Sequence, residues 1–211
     1  MKITSIILIV LLSIVFPVLE KNRTQKLMND NCIEIYLYKE YVMPENCFFI
    51  KDLYKYKPEI KFINEIKKSI LVYDTINKEI LHGSKFKLEK KLNTNQLLIN
   101  NTIIKNFNLN SGVIELNKPL KLAQIPLNKD KYHLKQFFIT INKKPICNGY
   151  LFNIIASANI KNSLFILCEI KNSIKFKFLK FNNKNKIVEI NLQKDYPELY
   201  QAFKNSGRLI E

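Results

Sequence analysis

The chain has 211 residues, a formal net charge of +16 from 34 basic and 18 acidic residues, and a hydrophobic content of 47%. With four glycines and no Pro-rich or Ser-rich stretch, this composition excludes collagen-like and disordered classes. Arginine occurs only at Arg23 and Arg208, and the lysines are scattered. The charge therefore argues against nucleic acid and favours a solvated basic surface, or contact with anionic envelope lipids or polymers.

An apolar leader opens the chain. Residues 6–19 are fourteen positions whose only polar side chain is Ser13, with Lys2 before them and Lys21 and Arg23 after them. This pattern is typical of an export signal. We therefore predict a signal peptide or signal anchor over residues 1–20 and a polar linker over residues 21–31.

Two fates of the leader stay open. A helix of this length rises about 21 Å, short of the roughly 30 Å of a bilayer core, which favours a cleaved signal peptide. Small residues of the A-x-A kind are missing after the apolar run, which favours a retained anchor. We expect an exported protein that is anchored in the membrane by this helix, or periplasmic or extracellular after cleavage.

Residues 32–211 are predicted to form a single β-rich domain. Its first strand starts at Ile33, where Ile33, Ile35 and Leu37 alternate with polar and aromatic residues. Further strands are expected over 48–56, over 69–75 and around Phe86 and Leu88. Isoleucines spaced by three or four residues after Pro58 predict a short helix.

The second half of the chain favours β-hairpins. Short apolar runs separated by Asn-Asn and Asn-Ser-Gly predict consecutive hairpins over 96–120. Another hairpin is expected about Asn142, followed by antiparallel strands over 145–155 and 163–170 that turn near Asn159. Alternation at Ile174, Phe176 and Phe178 then begins a three-stranded meander. The fold class expected is mainly β, an antiparallel, hairpin-rich sandwich or barrel-like body with one or two short helices.

A C-terminal helix is predicted near residues 196–205. Asp195 and Glu198 have the spacing of a capping box, Leu199 and Phe203 share one helix face, and Gly207 follows where a left-handed C-cap would fall. We expect the Leu-Phe face to cover the sheet.

The four cysteines are Cys32, Cys47, Cys147 and Cys168. An even number in an exported chain predicts disulfides. Antiparallel pairing of the strands that carry them would place Cys147 almost opposite Cys168, so this bridge is the favoured one. Four buried, reduced thiols are the alternative.

The sequence nominates no catalytic, metal-binding or cofactor-binding residue. His82 and His133 lack zinc-site spacing, and neither G-x-S-x-G nor a phosphate-binding glycine loop occurs. Cys147 activated by His133 is the sharpest enzymatic hypothesis, but it competes with the disulfide for the same sulfur. Tyrosines that cluster early in the chain suit a stacking site for a carbohydrate or peptide, and they fit the half-buried face of a strand equally well. They are Tyr36, Tyr38, Tyr41, Tyr54 and Tyr56.

These observations together predict an exported envelope or secreted protein, acting as a non-enzymatic binding or scaffold component. Its partner would be another protein or an envelope polymer, with the membrane as a further partner if the leader is retained. One alternative is an exported hydrolase with dispersed catalytic residues. The other is a secreted effector or inhibitor that binds a protein through an exposed strand edge.

Overall fold

The computed structural model describes residues 30–53, 71–81, 83, 85–88, 96–118, 120, 135–153, 164–170, 174–181 and 186–211. Within these residues the protein is mainly β, with a ten-stranded sheet, here called the long sheet, and a three-stranded small sheet. The mainly β, largely antiparallel character predicted from the sequence is confirmed. The leader over 1–20 and the helix after Pro58 lie outside the described residues.

The strands in chain order are β1 (Ile33–Leu37), β2 (Cys47–Phe49), β3 (Val72–Asp74), β4 (Glu79–Leu81), β5 (Gln96–Ile99), β6 (Ile104–Asn108), β7 (Val113–Leu116), β8 (Lys135–Ile141), β9 (Lys144–Asn153), β10 (Leu164–Ile170), β11 (Ile174–Phe181), β12 (Ile187–Glu189) and β13 (Leu209–Ile210). The helices are α1 (Ile50–Leu53), α2 (Leu192–Asp195) and α3 (Pro197–Asn205), and a 3₁₀ helix spans Asn101–Ile103.

The long sheet has the order β13-β6-β7-β11-β10-β9-β8-β1-β5, and β12 pairs with β11. Most neighbours are antiparallel, but β9 and β10 run parallel. The antiparallel pairing expected for these two strands is therefore wrong. A parallel pair needs a crossover connection instead of a tight turn, and the connecting residues 154–163 lie outside the described residues.

The ends of the long sheet lie near each other. Strands β5 and β6 occupy opposite parts of the order, yet only residues 100–103 separate them in the chain. That connection spans at most about 17 Å, so the sheet must curl. These two strands are consecutive, as predicted, but they do not form a hairpin, because β5 pairs with β1 and β6 pairs with β7.

The aliphatic face of the long sheet is the one covered by α2 and α3. The buried residues of this core include Ile33, Ile35, Leu37, Phe107, Phe137, Ile139, Phe176, Phe178, Leu199 and Phe203. The Phe107 ring lies 5.1 Å from that of Phe203 and 5.6 Å from that of Phe178. The predicted docking of the Leu-Phe helix face on the sheet is therefore observed.

The aromatic face lies on the other side of β1, β8 and β9. Its buried cluster consists of Tyr36, Tyr38, Phe86, Phe138, Tyr150 and Leu179. The Tyr36 and Phe138 rings are stacked at 5.2 Å with an interplanar angle of 5°. Both faces of β1 are consequently buried, although its sequence alternates like a strand with one wet side.

The hairpin between β8 and β9 turns at Asn142 and Lys143, as predicted. Both residues have positive φ, 51° and 65°, which is the conformation of a two-residue type I′ turn. The backbone twist of such a turn matches that of β8 and β9, so the turn fixes how these two strands align. On its other side β8 pairs with β1, where Glu34 lies opposite Thr140 and Tyr36 lies opposite Phe138.

The C-terminal helix α3 ends as predicted but begins differently. Gly207 has φ +67°, the left-handed conformation of a C-cap. The expected capping box is not formed, because Tyr196 is the N-cap and makes no side-chain capping bond. Asp195 instead accepts a hydrogen bond from the Asn191 N–H and pairs with Lys180 at 2.6 Å.

Two local predictions in the first half of the body fail, and one strand there was missed. The strand expected over 48–56 stops at Phe49 and is followed by the single-turn helix α1. Residues 85–88 are not a strand, although Phe86 is buried. Strand β4 was not predicted, because three residues are too few to show a period.

Candidate binding surface

The small sheet carries a row of apolar side chains on its outer face. The register places Phe48 of β2 opposite Tyr73 of β3, and Tyr73 opposite Ile80 of β4. The Phe48 and Tyr73 rings lie 5.4 Å apart, and Ile80 is 47% exposed. We call these three residues the outer row.

A rigid turn beside the outer row presents a further isoleucine. Residues 75–78 connect β3 to β4, and Ile76 in this turn is 67% exposed, the most exposed large apolar residue in the described part of the chain. The Asp74 carboxylate accepts hydrogen bonds from the N–H groups of Ile76 and Asn77 at 2.9 and 3.0 Å. This Asx-type capping holds the turn in one conformation without burying Ile76.

A second contact fixes the same turn to the loop before β2. The Thr75 N–H and hydroxyl both donate to the Asn46 carbonyl, at 3.0 and 2.7 Å. Asn46 and Lys78 adopt positive φ, 59° and 55°. The exposed position of Ile76 therefore follows from several hydrogen bonds and is not that of a loose loop tip.

The inner face of the small sheet is anchored on the aromatic face of the long sheet. Val72 and Leu81 are buried, and the Phe49 ring lies 6.0 Å from that of Tyr41. Just beyond β4, a Cβ added at Gly83 would come within 3.0 Å of the Tyr150 ring, so the backbone itself packs against that ring. The outer row is thus presented by a well-anchored platform.

A buried carboxylate forms a second candidate site at the end of β1. Glu34 accepts hydrogen bonds from the Tyr36 hydroxyl at 2.8 Å and from Lys143 Nζ at 2.6 Å, and Lys143 Nζ also lies 3.1 Å from the Tyr36 hydroxyl. Glu34 is 4% exposed, so its charge needs these partners.

We call Glu34 and Lys143 the locked pair, because the Lys143 ammonium is held on the buried Glu34 carboxylate. The hydrogen bond with Glu34 raises the pKa of Lys143, and burial raises the pKa of the Tyr36 hydroxyl. Proton transfer catalysis works best with a group whose pKa lies near the working pH. A lysine and a phenol whose pKa values both move upward are therefore better suited to holding β1 against the β8–β9 turn than to acid–base chemistry.

The amide of Gln136 closes the other end of the aromatic face. Its Oε1 accepts from the Val42 N–H at 2.6 Å and its Nε2 donates to the Val42 carbonyl at 2.9 Å. The side chain thereby imitates a strand and satisfies a stretch of backbone that leaves β1. We assign it a structural role.

The register of β9 and β10 does not place Cys147 and Cys168 opposite each other. The parallel register places Cys168 opposite Asn153, six residues from Cys147, or about 20 Å along the strand. The geometric reason for a Cys147–Cys168 bridge is therefore lost. Cys32 and Cys147 are free thiols in the structure, and oxidation of the Cys147–Cys168 pair stays a prediction.

Cys147 is poorly placed to be a nucleophile. It lies in the core on the aliphatic face, and burial raises the pKa of its thiol, with the nearby Glu198 acting in the same direction. A reactive cysteine needs an accessible thiolate. His82 and His133, which the hypothesis of an activated thiol requires, lie outside the described residues.

The early tyrosines divide between core and undescribed parts of the chain. Tyr36 and Tyr38 are buried and Tyr41 is half-buried, whereas Tyr54 and Tyr56 lie outside the described residues. The described tyrosines fit the strand-packing interpretation better than a carbohydrate platform. In the part of the chain that the structure describes, no group of three or more His, Cys, Asp or Glu is arranged to hold a metal ion.

Sequence reasoning missed the outer row because the three residues come from three strands with different local patterns. One signal was present: Asp74-Thr75-Ile76-Asn77 is a capped-turn sequence with an isoleucine in it.

Among the described helices none is long and apolar enough to cross a bilayer. Comparison with known protein families, with curated proteins and with solved structures finds no match.

Proposed function

We propose that the protein is an exported, non-enzymatic binding or scaffold component of the cell envelope, and that it binds a protein partner through the outer row and Ile76. The observation that carries this proposal is the presentation of Ile76 and Ile80 to solvent on a hairpin held by hydrogen bonds. The apolar leader supports the export part.

Exposed apolar groups favour binding when they are contiguous and rigid. Single surface isoleucines are common, but here Ile80 lies opposite Tyr73, whose ring is 5.4 Å from that of Phe48, and Ile76 lies in the turn of the same hairpin. Aromatic side chains supply much of the energy of protein interfaces, and a fixed backbone loses little entropy on binding. The charge-free outer row would form the centre of such an interface.

The hydrolase alternative has less support. Its sharpest form required an accessible Cys147 thiol, which is buried and has a raised pKa. The edge-binding alternative has one observation in its favour, since β12 exposes Ile187 by 60%. That strand is only three residues long, which limits the number of hydrogen bonds that it can offer a partner.

The finer architecture belongs to the same proposal. We propose that the curled long sheet is an open, barrel-like body that follows an export helix over residues 1–20. Retention of this helix would tether the body to the membrane, and its removal would release the protein to the periplasm or the outside.

Site-specific photocrosslinking tests the binding surface. A photoreactive amino acid replaces Ile76 or Ile80 in the full chain expressed in its host, with Ile187 as the matched exposed control. We expect discrete protein adducts from positions 76 and 80 and none of the same mass from 187. Equal adduct patterns at all three positions, or none at 76 and 80, would contradict the proposal.

A periplasmic reporter enzyme fused after Glu211 tests export separately. Activity of the fusion is expected, because the leader should direct the body out of the cytosol. A soluble, cytosolic and inactive fusion would overturn the export part without touching the crosslinking result.

A further inference from the structure

Residues 30–32 are held by hydrogen bonds to the β8–β9 turn. The Asn142 side chain donates to the Asp30 carbonyl at 2.8 Å and accepts from the Cys32 N–H at 2.9 Å. The Asn142 N–H donates to the Cys32 carbonyl at 2.8 Å. Residues 30–32 are therefore fixed beside the turn that carries Lys143.

Arg208 also binds the segment of residues 30–32. This buried guanidinium donates to the Asn31 carbonyl at 2.9 Å and to the side-chain oxygen of Asn101 at 2.8 Å. The same oxygen accepts from the Ile33 N–H at 2.9 Å. Burial lowers the pKa of Arg208 to about 10, so it remains charged at neutral pH.

We call this region the junction surface and define it as residues 30–32, 101–103, 117–118 and 142–144. Residues 117–118 belong to it because the Asn117 N–H donates to the Ile103 carbonyl at 2.8 Å. Its solvent-facing charges are mainly basic. Lys118 is exposed, and the side chains of Lys143 and Lys144 are 60% and 77% exposed.

The acidic groups nearby neutralise little of this charge at the surface. Asp30 is the one acidic residue within the junction surface, where it is exposed beside three lysines. Glu34 is buried and bound by Lys143, and Lys144 lies 4.0 Å from Glu198, a contact between two exposed groups. Exposed pairs of this kind are weak. Lys118 and Lys144 are therefore left to attract other anions.

The leader cannot be far from the junction surface. Asp30 is eleven residues after Leu19, a distance of at most about 40 Å when the chain is fully extended. A retained leader would therefore keep Lys118 and Lys144 within reach of the membrane surface. Juxtamembrane lysines are attracted to anionic headgroups, and this attraction decays within a Debye length of about 8 Å at physiological ionic strength.

We propose that the junction surface lies against the anionic headgroups of the membrane that holds the leader. This inference rests on the proposed export and adds an orientation to it. The chain just beyond β4 packs at Gly83 against Tyr150, which lies opposite Gln136 at the far end of β8, about 17 Å from Ile141. The outer row would then remain accessible to its partner while the junction surface contacts lipid.

Lysine footprinting of the full chain tests the orientation without substitutions. The protein is reconstituted into vesicles of phosphatidylcholine with or without phosphatidylglycerol, insertion is checked by flotation, and acetylation of each lysine is followed by mass spectrometry. Lys118 and Lys144 should react about fivefold more slowly in the anionic vesicles, and salt near 1 M should abolish the difference. Lys39 and Lys78, exposed near or on the small sheet, should not change.

Charge reversal provides the second readout. The K118E variant should lose the lipid-dependent protection of Lys144, whereas the matched K39E variant should retain it. If the protein floats with both vesicle types but all lysines label equally, the orientation is overturned and the anchor stands. Failure to float with either vesicle type overturns the anchor itself, and the orientation with it.

Discussion

The two faces of the long sheet are closed by different means. On the aliphatic face, α2 and α3 bury Leu192, Leu199 and Phe203 against strand residues, and the contact is almost wholly apolar. On the aromatic face, buried rings share the space with Glu34 and Gln136, whose polar atoms are matched by Lys143, Tyr36 and the Val42 backbone.

This difference shows what each face requires of its neighbours. Apolar burial needs only area and fit, so many sequences can supply the aliphatic face. A buried polar group needs a particular partner at a particular distance. Within the described residues, fully buried Thr140 has a hydroxyl without a hydrogen-bond partner, so this demand is not met everywhere on the aromatic face.

The largest effect is expected from truncating the helix that closes the aliphatic face. Phe203→Ala removes a ring that is fully buried and lies 5.1 Å from that of Phe107. The free energy of unfolding should fall by about 3–5 kcal/mol, as for other large-to-small changes in a core. Denaturant unfolding measures it, with Ile187→Ala as an exposed control that should change it by less than about 0.5 kcal/mol.

A smaller loss of stability is expected from breaking the ion pair on the aromatic face. Lys143→Asn keeps a residue type that tolerates positive φ but leaves Glu34 without its ammonium partner. We expect a loss of about 1.5–3 kcal/mol, the usual contribution of a hydrogen bond to a charged group.

Two further variants isolate the cause of that loss. Lys144→Asn, next in the chain, should have little effect, because its ion pair is long and exposed. Combining Lys143→Asn with Glu34→Gln should recover part of the lost stability, because the buried charge is then gone. Additive losses in this double-mutant cycle would mean that the pair is not coupled.

The aliphatic face also has one charged attachment, which makes its stability sensitive to acid. Burial alone would raise the pKa of Asp195, but hydrogen bonds from Lys180 and the Asn191 N–H lower it overall. Because the folded pKa lies below the unfolded value of about 3.9, the stabilisation is present above that pH and is lost as the pH falls through the folded pKa.

Asp195→Asn should therefore destabilise the protein by about 1 kcal/mol at neutral pH, with the gap to the wild type closing below about pH 4. Thermal unfolding across this pH range measures the gap. A constant difference at every pH would assign the effect to helix packing and not to the charge.

The smallest effect on stability is expected at the outer row. Ile80→Lys replaces a side chain that is already 47% exposed by a charged one. The free energy of unfolding should therefore change by less than about 0.5 kcal/mol, and the melting temperature should hardly move. The crosslinked adduct from position 76 should nevertheless disappear. Loss of the adduct together with a large drop in stability would indicate a folding role for this surface.

Local patterns in the sequence predicted most of the strands that the structure describes. Alternation at Ile33, Ile35 and Leu37 defines β1, and turn residues at Asn142 and Gly207 mark the β8–β9 hairpin and the end of α3. These signals work because side-chain direction in a strand and left-handed backbone at a turn depend on a few neighbouring residues.

The candidate binding surface was much less predictable. Its three side chains meet only because β2, β3 and β4 pair in one register, and each strand is three residues long. The locked pair of Glu34 and Lys143 joins residues that are far apart in the chain. No local pattern relates such positions.

The sequence alone determined that the body is built from short strands with a helix at its C-terminal end, because the two-residue and four-residue periods are local properties of the chain. Only the tertiary structure decided that β9 and β10 run parallel, that both sides of β1 are buried and that Ile76 is exposed. Strand partners and burial depend on contacts between distant segments, such as Ile33 with Ile141, and these form when the whole sheet assembles.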